Sequence, residues 1–266
     1  MRKIRESHED QFIDRDRDTV SSLRKGLQVL TSFGRLHPRM TISDVARLTA
    51  VTPASARRSL RTLQDLGYLE SDGKFFWMSP KTLLVANSFI ASRPLPSVAQ
   101  PLLDALSERT RESASLGQLL DHDAIIVARS TARRSLSIGL GIGSRLPGYC
   151  SAIGRVLLSS LPEEDAERML ISMERPALTA QTVTGLPEIL KILDRCRQEG
   201  WAGSDGEIEY GVRSMAVPVR DRSGQVIAAM SIAVRAERMG MAEFHQAFFG
   251  HLTRARKTLE DYLFPV

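Results

Sequence analysis

Residues 145–155, RLPGYCSAIGR, place a tyrosine, a cysteine and a serine between a Pro-Gly turn and what reads as the first turn of a helix. Unpaired backbone N–H groups and the helix dipole favour negative charge at such a point, which suits either a nucleophilic thiolate or a bound carboxylate. A Cys150 nucleophile needs a base and an orienting partner, and no histidine stands near it in sequence. Free cysteine is more often a small buried hydrophobe. The binding seat is therefore the expectation, with a cysteine-based enzyme using Cys150 as its rival. In the binding reading Ser151 caps the helix, and the amides of Ala152, Ile153 and Gly154 face an anionic ligand. Ser151 could also satisfy them alone.

A second candidate set lies in SDGEIEYGVRS, where Asp205, Glu207 and Glu209 recur at every other position. If this segment is extended, all three carboxylates point to one side, where one could accept ligand hydroxyls; an exposed acidic edge is the plainer alternative. Metal chemistry finds no pattern. The histidines at 8, 37, 122, 245 and 251 are scattered, and Cys150 and Cys196 are not in a CxxC pair. GLGIGS at 139–144 lacks the strand-to-helix context of a dinucleotide fingerprint, so neither metal nor cofactor is expected. Cys196 shares a helical stripe with Ile189, Ile192 and Leu193 and reads as core.

A third set is basic. Of the formal charge of +5, the whole surplus lies in residues 1–92, and residues 19–92 hold 10 Lys and Arg against 4 Asp and Glu. Such a segment is a candidate polyanion binder on a charge-balanced body. Within it a helix is expected over 22–33, with Val20, Leu23, Leu27 and Leu30 on its apolar face. Thr41 and Asp44 form a capping-box signal for a second helix. Thr52 as N-cap and Pro53 at the first position open a third, TPASARRSLRTLQDL, which Gly67 stops. Its apolar stripe is Ala56, Leu60 and Leu63, leaving Ser55, Arg57, Arg58, Arg61 and Thr62 elsewhere. The hairpin YLESDGKFFWMS follows, with Asp72-Gly73 as a type I′ turn signal and Lys74 near its tip. Two short helices, the second basic, then a wing, make a winged helix-turn-helix that enters the DNA major groove. The expected contacts with double-stranded operator DNA are Thr41, Thr52, Ser55, Arg57, Arg58, Arg61 and Lys74. A solvated basic helix, or a wing that meets protein, is the alternative.

The elements positioning the first two sets come later. A helix closed by Pro94 and Pro96 is followed by another, and apolar strands are read in 114–120, 124–130, 135–143, 214–220 and 226–234. Helices interleave at SAIGRVLLSSL, PEILKILDRCRQEG and 241–263. The fold class is α+β, with one sheet and helices packed on it. The domains expected are a flexible tail over 1–18, a winged helix-turn-helix over 19–79, a linker helix over 80–96 and a ligand-sensing domain over 97–266. No apolar run reaches the ~20 residues of a membrane span and no secretory signal is read, so the chain is expected in the cytoplasm, without a membrane partner.

The run TISDVARLTAVTPASARRSLRTLQDLGYLESDGKFFWMS resembles the winged helix-turn-helix of the IclR family of bacterial transcriptional regulators. The resemblance continues through RLPGYCSAIGRVLLSSL and GEIEYGVRSMAVPVRDRSGQVIAAMSIAV. It implies a regulator rather than an enzyme, with a GAF-like effector-binding domain at the C-terminus and assembly as a homodimer or a dimer of dimers. It also implies an effector pocket at Ala152, Ile153, Asp205, Ser214 and Ser231, walled by Leu146 and Tyr149, to which Ser151 and Glu207 are added from the residues themselves. A second serine of the family pattern is Ala233 here, which suits the pocket less to a small, highly polar acid. Tyr149 and Arg134 are similar to the subgroup controlling aromatic-acid catabolism through the β-ketoadipate pathway. The implied effector is a hydroxybenzoate, protocatechuate or a pathway intermediate, with a short-chain keto acid as the alternative. Arg134 and Arg213 are both candidates to pair with its carboxylate.

Overall fold

Capping chemistry sets the first elements. The computed structural model describes residues 19–132 and 140–265, and the chain divides into two units between Phe89 and Ile90. The first unit holds α1 (Ser21–Thr31), α2 (Ile42–Thr49), α3 (Pro53–Asp65), a hairpin of β1 (Leu69–Ser71) and β2 (Phe76–Met78), and most of α4 (Thr82–Ser92). Thr41 and Asp44 complete the capping box reciprocally at the start of α2. Thr52 caps α3 and Pro53 occupies its first turn, where the missing N–H costs nothing. The core joins Val29, Val45, Ala56, Leu60, Leu69 and Phe76.

Two local expectations are corrected here. Only one edge of the apolar face read on α1 is covered: Leu30 packs half-buried against the core beside the buried Val29, whereas Val20, Leu23 and Leu27 are 64%, 62% and 52% exposed. Periodicity reports that a face is apolar, not that this chain covers it. The hairpin is closed by a four-residue loop, since Ser71 pairs with Phe76, and only Gly73 in it has a positive φ, which a type I′ turn would need twice. The Asp72 carboxylate organises it instead, accepting from the amides of Lys74 at 3.0 Å and Phe75 at 2.8 Å.

The second unit is a six-stranded antiparallel sheet in the order β5-β4-β3-β8-β7-β6. Its strands are β3 (Ser113–Leu120), β4 (Asp123–Ser130), β5 (Arg145–Pro147), β6 (Ala202–Asp205), β7 (Val212–Arg220) and β8 (Val226–Arg235). On one face α5 (Pro94–Thr110) and α9 (Met241–Leu263) bury Ala99, Leu103, Leu252 and Leu259 against Leu116, Met215, Val217, Met230 and Ile232. The helix before α5 ends at Ser92, just ahead of Pro94, but Pro96, also expected to close it, lies within α5, as does Pro101. Pro96 needs no donor in the opening turn, whereas Pro101 sits past it.

On the opposite face lies α6 (Ala152–Ser159), with α7 (Glu163–Ser172) and α8 (Leu186–Glu199) beyond it. Two glycines allow α6 to come this close. A Cβ on Gly117 of β3 would stand 2.7 Å from Ile153 Cγ2, and one on Gly154 would stand 2.5 Å from the Gly148 Cα. The segment read as a strand over 135–143 lies largely outside the described residues. Short strands β5 and β6, and helix α7, were not read from the sequence. Among the described residues no helix is long and apolar enough to cross a membrane.

Candidate functional site

In the first unit, α3 turns Ala56, Leu60 and Leu63 into the core and leaves Arg57, Arg58, Arg61 and Thr62 exposed. Ser55 is half-buried, and its amide donates to the Thr52 hydroxyl at 3.3 Å. The ion pairs of this unit, Arg39 with Asp72 and Arg47 with Asp44, leave those three arginines out. Among the described residues α3 thus presents three cations with no internal partner. Thr41 differs: its hydroxyl donates to Asp44 Oδ2 at 2.7 Å and accepts from the Asp44 amide at 3.3 Å, so the cap engages it. Lys74 is exposed in the wing loop with Nζ 5.2 Å from the Phe75 ring centroid. The wing is tied down by Arg39, whose guanidinium stacks 4.5 Å above Trp77 and pairs with Asp72 at 2.6 Å.

In the second unit, the turn before α6 is fully buried. Ser151 Oγ accepts from the Gly154 amide at 3.0 Å, while the Ala152 and Ile153 amides have no acceptor among the described residues. One of the three first-turn donors is therefore satisfied by the cap and two are not. Cys150 packs with Leu158, Ala166, Leu170 and Ile189, and desolvation pushes its thiol up to about 12. A thiol so held is protonated at neutral pH and is no nucleophile. Tyr149 sits in the same small core, where its hydroxyl donates to the Pro176 carbonyl at 2.5 Å and burial raises its pKa. Leu146 belongs to the adjoining core between α6 and the sheet.

The acidic stretch is not extended, and the expectation of three carboxylates on one side gives way. Strand β6 ends at Asp205, and Gly206 turns the chain with φ of +66°. Asp205 pairs with Arg213 Nε at 2.6 Å, and Arg213 is further engaged by the carbonyls of Ala236 and Met239. Glu209 is exposed. Glu207 is buried and meets Arg155 of α6 in a two-pronged pair, Nη1 to Oε1 at 2.6 Å and Nη2 to Oε2 at 2.7 Å. Arg155 also donates to the carbonyls of Tyr149 at 3.0 Å and Gly203 at 2.8 Å, and Glu207 accepts from the Val183 amide at 3.0 Å. Glu207 is therefore a brace for the turn rather than an acceptor open to a ligand. Arg134 lies outside the described residues.

The sheet face below the start of α6 carries small side chains. Cross-strand partners share a face, so one row runs Arg129, Ser115, Ser231, Ala216 and Ala202, and the next runs Ser113, Ala233, Ser214 and Ser204. The Ser204 hydroxyl donates to the Cys150 carbonyl at 2.7 Å, whereas the hydroxyls of Ser231 and Ser214 make no hydrogen bond among the described residues. Arg129 is the residue that the sequence reading missed. Its Nη1 donates to Ser115 Oγ at 2.6 Å, but Nε and Nη2 are sheltered from solvent and meet no acceptor among the described residues. Desolvation lowers its pKa. The available signal was a lone arginine in the otherwise apolar strand AIIVARS.

The winged helix-turn-helix and this sheet both match known families in sequence. The IclR helix-turn-helix domain matches residues 22–73, and the C-terminal domain of the bacterial transcriptional regulator IclR matches residues 87–259. The chain belongs to the IclR family. This IclR-family chain is 35% identical over 250 residues to the Pca regulon regulatory protein of Pseudomonas putida, covering 94% of this chain and 86% of that one. It is 34% identical over 230 residues to the p-hydroxybenzoate hydroxylase transcriptional activator of Acinetobacter baylyi, covering 85% of each. It is also similar to a solved double mutant of the inducer-binding domain of the Acinetobacter PobR transcription factor in complex with 3-hydroxybenzoic acid. That match has 31% identity and a TM-score of 0.60, and covers 63% of this chain and 98% of that one. The IclR-family chain is a DNA-binding transcriptional regulator and not an enzyme.

Proposed function

We propose that this regulator binds a small aromatic acid, a hydroxybenzoate or protocatechuate in type, between the start of α6 and the β3, β8 and β7 face, and changes its hold on operator DNA in response. The observation that carries this is the set of unfilled polar groups there. The amides of Ala152 and Ile153 and the hydroxyls of Ser231 and Ser214 have no partner among the described residues, and they belong to α6 and to the serine- and alanine-bearing sheet face that α6 covers. A pocket with an apolar lining and a few convergent polar groups is what a ligand of that kind needs. The relatives regulating p-hydroxybenzoate hydroxylase and binding 3-hydroxybenzoic acid support the same class.

On the DNA side, Arg57, Arg58 and Arg61 reach bases or phosphates, Thr52 and Ser55 line the groove, Lys74 meets the backbone, and Thr41 acts by fixing α2. The functional species is a homodimer or a dimer of dimers in the cytoplasm. Supporting that, α4 buries none of its residues and exposes Leu83, Leu84, Val85 and Phe89.

A thermal-shift screen against aromatic acids and short-chain keto acids tests this function. A ligand at ~100 times its Kd adds about 2.7 kcal/mol of stability to the unit that binds it. Hydroxybenzoates are expected to shift the wild-type protein and to leave an Ile153→Trp variant unshifted, because bulk at the start of α6 obstructs a ligand's approach to its free amides. A shift with keto acids alone would replace the aromatic effector by the short-chain alternative, and an undiminished shift in Ile153→Trp would move the site elsewhere.

A further inference from the structure

The chain holds two sheltered arginines on the same side of its sheet and treats them oppositely. Arg155 has Glu207, two carbonyls and no unmet donor. Arg129 has one serine. A guanidinium is charged at every relevant pH, so sheltering two of its donors without an anion is unfavourable. The position is nevertheless fixed on purpose by its surroundings: the Arg129 amide donates to Gln100 Oε1 at 3.3 Å and its carbonyl accepts from Gln100 Nε2 at 3.0 Å. The arginine is thus held at both ends of its backbone unit and at Nη1, and open only along one edge.

That edge decides the chemistry. Nε and Nη2 are the two nitrogens whose N–H bonds run parallel on one side of the guanidinium plane, the geometry that takes both oxygens of a carboxylate at once. The Nη1 bond to Ser115 lays the guanidinium over β3, one strand spacing of about 5 Å from Ser231 on β8. No carboxylate stands in the two rows around it, which read Ser115, Ser231 and Ala216, then Ser113, Ala233 and Ser214. We infer that the Nε and Nη2 edge of Arg129 receives the effector's carboxylate and makes it the residue that selects acids over neutral aromatics. This rests on the aromatic-acid reading above and deepens it by setting the ligand's direction. The carboxylate lies over β3 at Arg129, the ring crosses the serine and alanine floor, and the ring hydroxyl meets Ser231, Ser214 or the α6 amides. A full charge with two charge-assisted bonds outweighs the partial charge at the end of an eight-residue helix, so the acid's charged end belongs at Arg129 and its hydroxyl at α6.

The test crosses residue charge with ligand charge. Calorimetric titration of the full chain measures 3- and 4-hydroxybenzoate, 4-hydroxybenzamide and pyruvate against wild type, Arg129→Met, Arg129→Gln and Arg129→Lys. Losing two charge-assisted bonds is expected to weaken hydroxybenzoate roughly 10- to 100-fold in the Met and Gln variants, with Lys between because it cannot bind two oxygens in one plane. Hydroxybenzamide affinity is expected to change less than about threefold, since its neutral amide uses no charge. Unchanged DNA affinity and a cooperative unfolding transition no lower than wild type without ligand show that the variants are folded. If one fails to fold, the Lys variant carries the same comparison. Equal loss of acid and amide, or no loss of either, overturns the assignment of Arg129 while leaving the aromatic effector intact. If wild type binds pyruvate and no hydroxybenzoate, the aromatic reading fails, and Arg129 stands or falls on pyruvate affinity in the same variants.

Discussion

Replacing Glu207 by glutamine removes one charge from the buried pair with Arg155 while keeping its volume. The guanidinium stays charged, and of its four hydrogen bonds the two at 2.6 and 2.7 Å run to Glu207. The glutamine amide can present one acceptor. Its NH2 then faces either Nη1, in the place of Oε1, or both Nη2 and the Val183 amide, in the place of Oε2; all three are donors, so at least one bond becomes a donor–donor clash. Breaking one side of a buried ion pair costs about 3–5 kcal/mol. For a unit of 150–250 residues each kcal/mol lowers the melting temperature by about 2–4 °C, so the transition of the second unit is expected to fall by roughly 6–20 °C. Differential scanning calorimetry at neutral pH resolves this transition. The double change Arg155→Met with Glu207→Leu removes both charges and is expected to recover most of the loss, as apolar replacements of buried pairs do. A Glu207→Gln melting temperature within about 2 °C of wild type would refute the claim that this pair braces the turn before α6.

Other outcomes follow from the same structure. Burial pushes the Cys150 thiol from 9.0 up to about 12, so native protein is expected to resist a thiol reagent at pH 8 that labels the unfolded chain at once. Because the folded-state value is the higher one, this burial contributes stability in full below pH 9 and loses it progressively as pH rises towards 12, which alkaline unfolding scans would show as a falling midpoint, shallower in Cys150→Ala, where Cys196 and Tyr149, also raised by burial, still contribute. Arg57→Ala or Arg58→Ala is expected to weaken binding to a duplex selected from random sequences by about 1–3 kcal/mol if the side chain reads a base, and uniformly across sequences with a shallower salt slope if it meets phosphate. Wild-type affinity in both variants contradicts the role of α3. Leu84→Glu with Val85→Glu is expected to yield a monomer by sedimentation and to lower operator affinity roughly 100-fold, since linked half-sites bind with effective concentrations that single domains lack. An intact dimer would move the interface off α4.

Local chemistry was legible in the sequence, and cross-strand geometry was not. Thr41 with Asp44, and Thr52 with Pro53, each involve residues within one turn, so the helix starts could be read directly. The strands β3, β4, β7 and β8 and the long α9 announce themselves by apolar runs and period. Whether Val20, Leu23 and Leu27 are covered depends on what packs against α1, which no period encodes. Arg129 shows the limit most plainly. Strict alternation from Ala124 and Ile126, which face α6, would put Ala128 on the same side and Arg129 under α5 and α9. Strand β4 carries one extra residue, Val127, where the register with β3 shifts between Leu116 and Gly117. A bulge of one residue exchanges the two faces, so Ala128 joins the other core and Arg129 turns towards Ser115. Likewise Gly206 ends β6 and drives Glu207 inward, so the every-other-residue spacing of the carboxylates has no meaning beyond Asp205.

The most direct test of an aromatic-acid-responsive regulator joins its two units in one experiment. Fluorescence anisotropy would follow full-length protein on its selected duplex at fixed salt, with and without saturating 4-hydroxybenzoate or 3-hydroxybenzoate. The account predicts that an acid which stabilises the wild-type protein also changes its DNA affinity, by a coupling of about 1–3 kcal/mol or roughly 5- to 150-fold, and that neither effect remains in Ile153→Trp. An acid that binds without moving DNA affinity, or DNA affinity that responds equally in Ile153→Trp, would contradict it.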